Sequence, residues 1–164
     1  MQLTIRKDDL SGEFIAQLLQ KHLDFTAGES PPESSHALDL EALRAPDITF
    51  WCAWDGDSLL GCVALKDLGV TDGVAPGGAR HGEVKSMHTA EAARGRGVAR
   101  ALMEHLMAEA RRLGYARLSL ETGSMESFAA ARRLYARFGF ETCAPFGDYV
   151  LDPHSEFMTI ELAA

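Results

Sequence analysis

The chain has 164 residues, 46% of them apolar, which is enough for one domain with a real hydrophobic core. Acidic side chains outnumber basic ones 24 to 16, and the formal charge of -8 argues against a broad electrostatic footprint for nucleic acid. No apolar run approaches the ~20 residues that span a bilayer, and residues 1–9 read as a charged strand rather than a secretory leader, so a soluble, cytoplasmic protein is expected.

Leu3 and Ile5 alternate with polar neighbours as a strand does, and Phe14, Ile15, Leu18, Leu19 and Leu23 then recur at helical spacing. Residues 27–36 are too rich in Gly, Ser and Pro for either, and 38–43 make a short helix that Pro46 ends. Residues 49–54 and 58–68 form a hairpin around Asp55-Gly56-Asp57. The stretch 69–82, with five glycines, reads as a mobile connection to a strand at 83–89.

Val98, Leu102, Leu106, Ala110 and Leu113 form one apolar stripe of a helix over 97–113, which Gly114 stops. A strand at 117–122 follows. A second amphipathic helix over 127–138 buries Phe128, Ala131, Leu134, Tyr135 and Phe138, and Gly139 ends it. Short strands near 140–143 and 157–162 finish a mixed α+β pattern, with helices on both faces of a sheet. Cys52, Cys62 and Cys143 are far apart and read as reduced core residues, and the six histidines carry no metal-ligand spacing.

The strongest local signal is Arg94-Gly95-Arg96-Gly97-Val98-Ala99, which follows a strand and opens the helix over 97–113. A helix start presents unpaired N–H groups and partial positive charge, residues without bulky side chains let a phosphate approach them, and Arg94, Arg96 and Arg100 add charge. An ordinary capping turn with solvated arginines is the plain alternative. A P-loop is excluded because no Gly-Lys-Ser/Thr follows. A dinucleotide fingerprint fits poorly, because Arg100 takes the third glycine position and residues 89–93 separate strand from glycines.

This segment resembles the GNAT acetyltransferases, whose coenzyme A signature is Q/R-x-x-G-x-G/A: Arg94, Gly97 and Ala99 match it. Leu134-Tyr135 followed by Phe138-Gly139-Phe140-Glu141 resembles the family's second motif, L-Y-x-x-x-G-F, and the two regions cover 82–141. The resemblance implies a GNAT-like three-layer α/β/α fold over a single domain of 1–164, with a mostly antiparallel sheet of about six to seven strands. It implies acetyl-CoA as co-substrate and no metal. The amides of Gly95, Arg96, Gly97, Val98, Ala99 and Arg100, with Arg94, would hold the pyrophosphate, and the backbone of Met87, His88 and Thr89 would pair with the pantetheine arm. One departure is Phe128, where many members carry an asparagine.

Acetyl transfer to an amine needs a base, since an alkyl ammonium has a pKa near ~10.4, and an acid for the departing thiol helps. The resemblance places Tyr135 beside the cofactor sulfur as that acid; a buried core tyrosine is the alternative. Glu83, eleven residues before Arg94, sits where some members carry a catalytic glutamate, and Glu121 competes for the same role, either directly or through a water. The oxyanion would meet a backbone amide near Met87. Period-two alternation from Glu83 puts Lys85 and Met87 on its face and His88 on the other, with Lys85 pairing Glu83 or Glu121. Ser34, Ser35, His36, Glu121 and Thr122 are the candidates for holding a small polar amine. A protein acetyltransferase and a non-catalytic acyl-CoA sensor remain as alternatives, and a homodimer stays open.

Overall fold

In the computed structural model, residues 1–34, 36–71 and 79–162 are described. Seven strands form one sheet: β1 (Leu3–Lys7), β2 (Ile48–Asp55), β3 (Ser58–Thr71), β4 (Ala79–Thr89), β5 (Tyr115–Gly123), β6 (Glu141–Thr142) and β7 (Ser155–Glu161), in the order β1-β2-β3-β4-β5-β7-β6. All neighbours are antiparallel except β4 and β5, which a helical crossover forces to run parallel. The helices are α1 (Glu13–Glu29), α2 (Leu40–Leu43), α3 (Val98–Arg112) and α4 (Ala129–Arg137).

The strand alternation divides the core in two. Phe50, Cys52, Cys62 and Ala64 point to one face, where they pack with Ile15, Leu18 and Leu19 of α1 and Leu43 of α2. Trp51, Ala53, Val63, Leu65, Leu118 and Leu120 point to the other, against Leu102, Met103, Leu106 and Ala110 of α3. The predicted apolar stripe of α3 is thus the core of the second layer, and burying such side chains stabilises the fold by about 1.5–3 kcal/mol each. The three-layer arrangement and the seven strands agree with the expectations above; Cys52 and Cys62 lie in the core as expected, whereas Cys143 is only half-buried.

Three expectations need correction. β3 runs on to Thr71 and β4 begins at Ala79, so the outer parts of the glycine-rich stretch are paired strand, with Val70 opposite Arg80. Its two described glycines answer different needs: Gly69 adopts φ 80° at a register irregularity, and a Cβ on Gly82 would sit 2.8 Å from Leu65 Cδ1. The remainder, 72–78, lies outside the described residues. α1 extends to Glu29, into the segment read as loop. Finally, α4 starts at Ala129 after a single 3-10 turn, and of its apolar face only Tyr135 is fully buried. Ala131, Leu134 and Phe138 are half-buried against the α3-side core, and the first two also line a cavity.

Candidate active site

The site lies where β4 and β5 part company. Their parallel pairing runs only from Arg80 opposite Tyr115 to Glu83 opposite Ser119. Past that point β5 continues beside β7 and β4 beside β3, so a wedge opens between them. β4 also bulges: Ser86 takes φ 55°, and the pairing with β3 jumps from Lys85–Ala64 to His88–Cys62. A bulge adds one residue and inverts the alternation beyond it.

That bulge overturns the period-two expectation. Met87 packs against the α3 side of the sheet. His88 turns to the α1 side, the side of Glu83 and Lys85, where its Nδ1 lies 3.1 Å from Nδ1 of His22. Burial pushes both imidazoles down to about 4, so both are neutral at pH 7, one donating the shared hydrogen bond and the other accepting it.

Glu83 is 3% exposed. Its Oε2 accepts from Lys85 Nζ at 3.0 Å and from the Tyr149 hydroxyl at 2.6 Å, and Lys85 Nζ also donates to that hydroxyl at 2.9 Å. The three groups close a ring. Burial, followed by the adjacent Glu83 carboxylate, pushes the Tyr149 phenol up, so it stays protonated and donating. Lys85 therefore pairs with Glu83, one of the two partners foreseen.

Glu121 stands at the end of β5 on the same cavity. Its Oε2 is buried with no hydrogen-bond partner among the described residues. Burial raises its carboxyl to about 7, Lys85 opposes the rise, and Glu83 and Asp152 add to it. Tyr135 is buried on α4 and lines the same cavity. Burial first and Glu121 second push its phenol up, leaving the proton in place at neutral pH.

The cavity, about 620 Å³, runs from His36, Tyr149, Glu83 and Glu121 at one end to Arg94 and Gly95 at the other. A second space of about 840 Å³ adjoins it, lined by Gly97, Val98, Ala99 and Arg100. Two segments meet over the Glu83 end: Ser34 Oγ donates to Asp152 Oδ2, and the His36 ring stands edge-on to Tyr149 at 4.9 Å. Over the middle, Phe25 of α1 contacts Phe128 at 5.4 Å. Thr122 is buried in the cavity wall, and Ser35 lies outside the described residues.

The turn before α3 suits a pyrophosphate. Gly95 (φ 76°) and Gly97 (φ 81°) take left-handed backbone, and a Cβ at either would meet nothing within 4 Å, so conformation rather than crowding selects glycine. The amides of Val98, Ala99 and Arg100 open the helix without intrahelical acceptors, at its positive end. Arg94 lines both spaces, as does Arg137, which the sequence did not single out. Arg96 leans toward Asp55 at 3.9 Å, and Arg100 donates to Glu104 at 2.9 Å. Tyr149, Asp152 and His22 were likewise missed as parts of the site, because each comes to it from a distant segment.

A wedge in the sheet, a helix start with free amides beside it and a buried phenol and carboxyl at its far end make one continuous site. The sequence matches the Acetyltransferase (GNAT) family over residues 15–140, and the chain belongs to that family of acetyl-CoA-dependent enzymes. It is 52% identical over 158 residues to the uncharacterized N-acetyltransferase YsnE of Bacillus subtilis, covering 96% of this chain and 99% of that protein. It is 36% identical over 156 residues to the IAA acetyltransferase of Azospirillum brasilense, covering 95% of each. Among solved structures, a GNAT family acetyltransferase from Elizabethkingia anophelis with acetyl-CoA bound superposes with a TM-score of 0.65 at 15% identity, over 98% of both chains. No helix among the described residues is long and apolar enough to cross a membrane.

Proposed function

We propose that this enzyme transfers the acetyl group of acetyl-CoA directly to the primary amine of a small molecule. The observation that carries the acceptor class is the bridged end of the cavity. There the Ser34–Asp152 hydrogen bond and the His36–Tyr149 contact join two segments beside Glu83 and Glu121, which favours a compact acceptor over an extended peptide. Two carboxylates against one lysine favour an acceptor that arrives as a cation.

The chain's groups divide the work. The amides at the start of α3, with Arg94 and Arg137, hold the pyrophosphate, and the strand edge of Met87, His88 and Thr89 orients the pantetheine arm. The bound thioester supplies an activated acyl group. A backbone amide near Met87 meets the developing oxyanion, Tyr135 gives its phenol proton to sulfur, and a carboxylate receives the proton that the ammonium must lose. Cys52 and Cys62 are buried in the α1-side core, and their thiols are pushed up by burial, which leaves them no part in an acyl-enzyme.

A thermal shift with acetyl-CoA, against NADH and ATP as controls, tests the donor, since ligand at 100 times its Kd stabilises by about 2.7 kcal/mol. Thiol release with ethanolamine, putrescine and 2-phenylethylamine, set against a lysine peptide and IAA, tests the acceptor. Turnover only with the peptide would replace the small-molecule reading by a protein acetyltransferase. Turnover only with IAA would remove the amine. Binding without any turnover would leave an acyl-CoA sensor.

A further inference from the structure

We propose that Glu121, rather than Glu83, takes the proton from the acceptor amine, and that Tyr149 is the positioning residue that makes this possible by tying Lys85 to Glu83. The inference rests on the acetyltransferase reading and goes beyond it by dividing the labour between the two carboxylates.

The geometry separates them. Glu83 Oε2 already accepts from Lys85 Nζ at 3.0 Å and from Tyr149 at 2.6 Å, in a side chain that is almost wholly buried. Charge-assisted bonds of this kind already occupy the oxygen that would have to take the proton. Glu121 has the opposite surroundings. It shares the cavity with Tyr135, it is only partly buried, and its Oε2 finds no donor among the described residues. An unpaired oxygen out of water is where a proton is most strongly taken up.

The groups facing Glu121 are few. β4 offers Glu83 and Lys85, α4 offers Tyr135, and the connection between β6 and β7 offers Tyr149 and Asp152. His36 stands behind Tyr149, and on β7 Glu156 pairs with the neighbouring position, Thr122. Among the described residues, Lys85 is the one cation whose attraction lowers the proton affinity of Glu121. Tyr149 accepts from Lys85 Nζ at 2.9 Å beside the 3.0 Å contact of that nitrogen with Glu83, which biases the lysine toward Glu83.

The step balances as follows. The ammonium gives one proton to the Glu121 carboxylate, and the freed lone pair forms the N–C bond to the thioester carbonyl carbon. The C–S bond breaks with its electron pair going to sulfur, which takes the phenolic proton of Tyr135. The second proton lost by nitrogen refills Tyr135, and Glu121 releases the first to solvent.

The test reads the carboxyl itself. In protein labelled with 13C at glutamate side-chain carboxyls, the signal missing from Glu121→Gln should titrate at about pH 7. In Tyr149→Phe, where Lys85 keeps Glu83 but loses the hydroxyl that helps hold it there, it should move to lower pH by at least about half a unit. Thiol release with the three probe amines supplies the kinetic arm. The wild-type rate should rise with pH through the same midpoint, the limb should move acid-ward in Tyr149→Phe, and Glu121→Gln should lose at least ~100-fold in kcat. A Glu121 signal titrating below pH 5 overturns the proposal, as does a Glu121→Gln enzyme that keeps its activity while Glu83→Gln loses it. Absence of an acetyl-CoA thermal shift would refute the acetyltransferase reading alone, because the carboxyl titration is read on the free protein.

Discussion

Replacing Glu121 by Gln should make the protein more stable at alkaline pH than at acid pH, relative to the wild type. Burial raises the folded-state carboxyl from 4.5 to about 7, so folding favours its protonated form. The cost of ionising it in the fold is absent below the unfolded value and fully present above about 7. At about 1.36 kcal/mol per pH unit this displacement has a ceiling near 3 kcal/mol, and solvent screening of a partly exposed side chain reduces it to about 1–2 kcal/mol. The measurement is the difference in unfolding free energy between variant and wild type from urea melts, taken at pH 4 and again at pH 8.5. Comparing the two pH values cancels the pH-independent cost of the amide. The variant should gain about 1–2 kcal/mol on going to pH 8.5, roughly 2–8 °C in Tm for a domain of this size. A difference that does not change with pH, or a wild type that gains relative to the variant as pH rises, would refute the assignment of Glu121 as an unpaired, desolvated carboxyl.

Further outcomes are expected elsewhere. Gly61→Ala places a Cβ 2.8 Å from the backbone oxygen of His88 and 3.0 Å from Val98 Cγ1, so it should cost about 1–3 kcal/mol in urea melts and disturb the bulge on β4. Gly97→Ala, at φ 81°, should weaken acetyl-CoA binding by calorimetry more than it lowers stability, since the helix start is the proposed anion site. Leu106→Ala, in the fully buried face of α3, should cost about 2–5 kcal/mol. In the native protein a thiol reagent should modify Cys143 well before Cys52 or Cys62, which are completely buried; early labelling of Cys62 would contradict the packing of the α1-side core.

The parts of this molecule that were legible from sequence are those governed by local rules. The stripe of α3, the hairpin at Gly56 and the glycines at 95 and 97 each declare themselves within a few residues, because helical period and positive φ are local properties. The orientation of His88 was not legible. It depends on one residue, Ser86, entering the left-handed region, and nothing in the residue type announces that. Tyr149 was hidden for another reason: it reaches Glu83 across 66 positions, from a segment that reads only as a link between two short strands. Glycine content also misled at 69 and 82, where it answers a bulge and a close approach of side chains rather than looseness.

The brief pairing of β4 with β5 has a mechanical consequence. Four register pairs, all at one end, are the backbone seam between a half-sheet of β1 to β4 and a half-sheet of β5 to β7. Beyond the seam the halves are held by α3, whose side chains touch strands of both, as the leaves of a book are held by its spine. A molecule seated in the opening touches both leaves at once, so part of its binding free energy goes into stiffening the joint between them. Cooperativity of unfolding, and not only its midpoint, is then a property that an occupant of the opening helps to set.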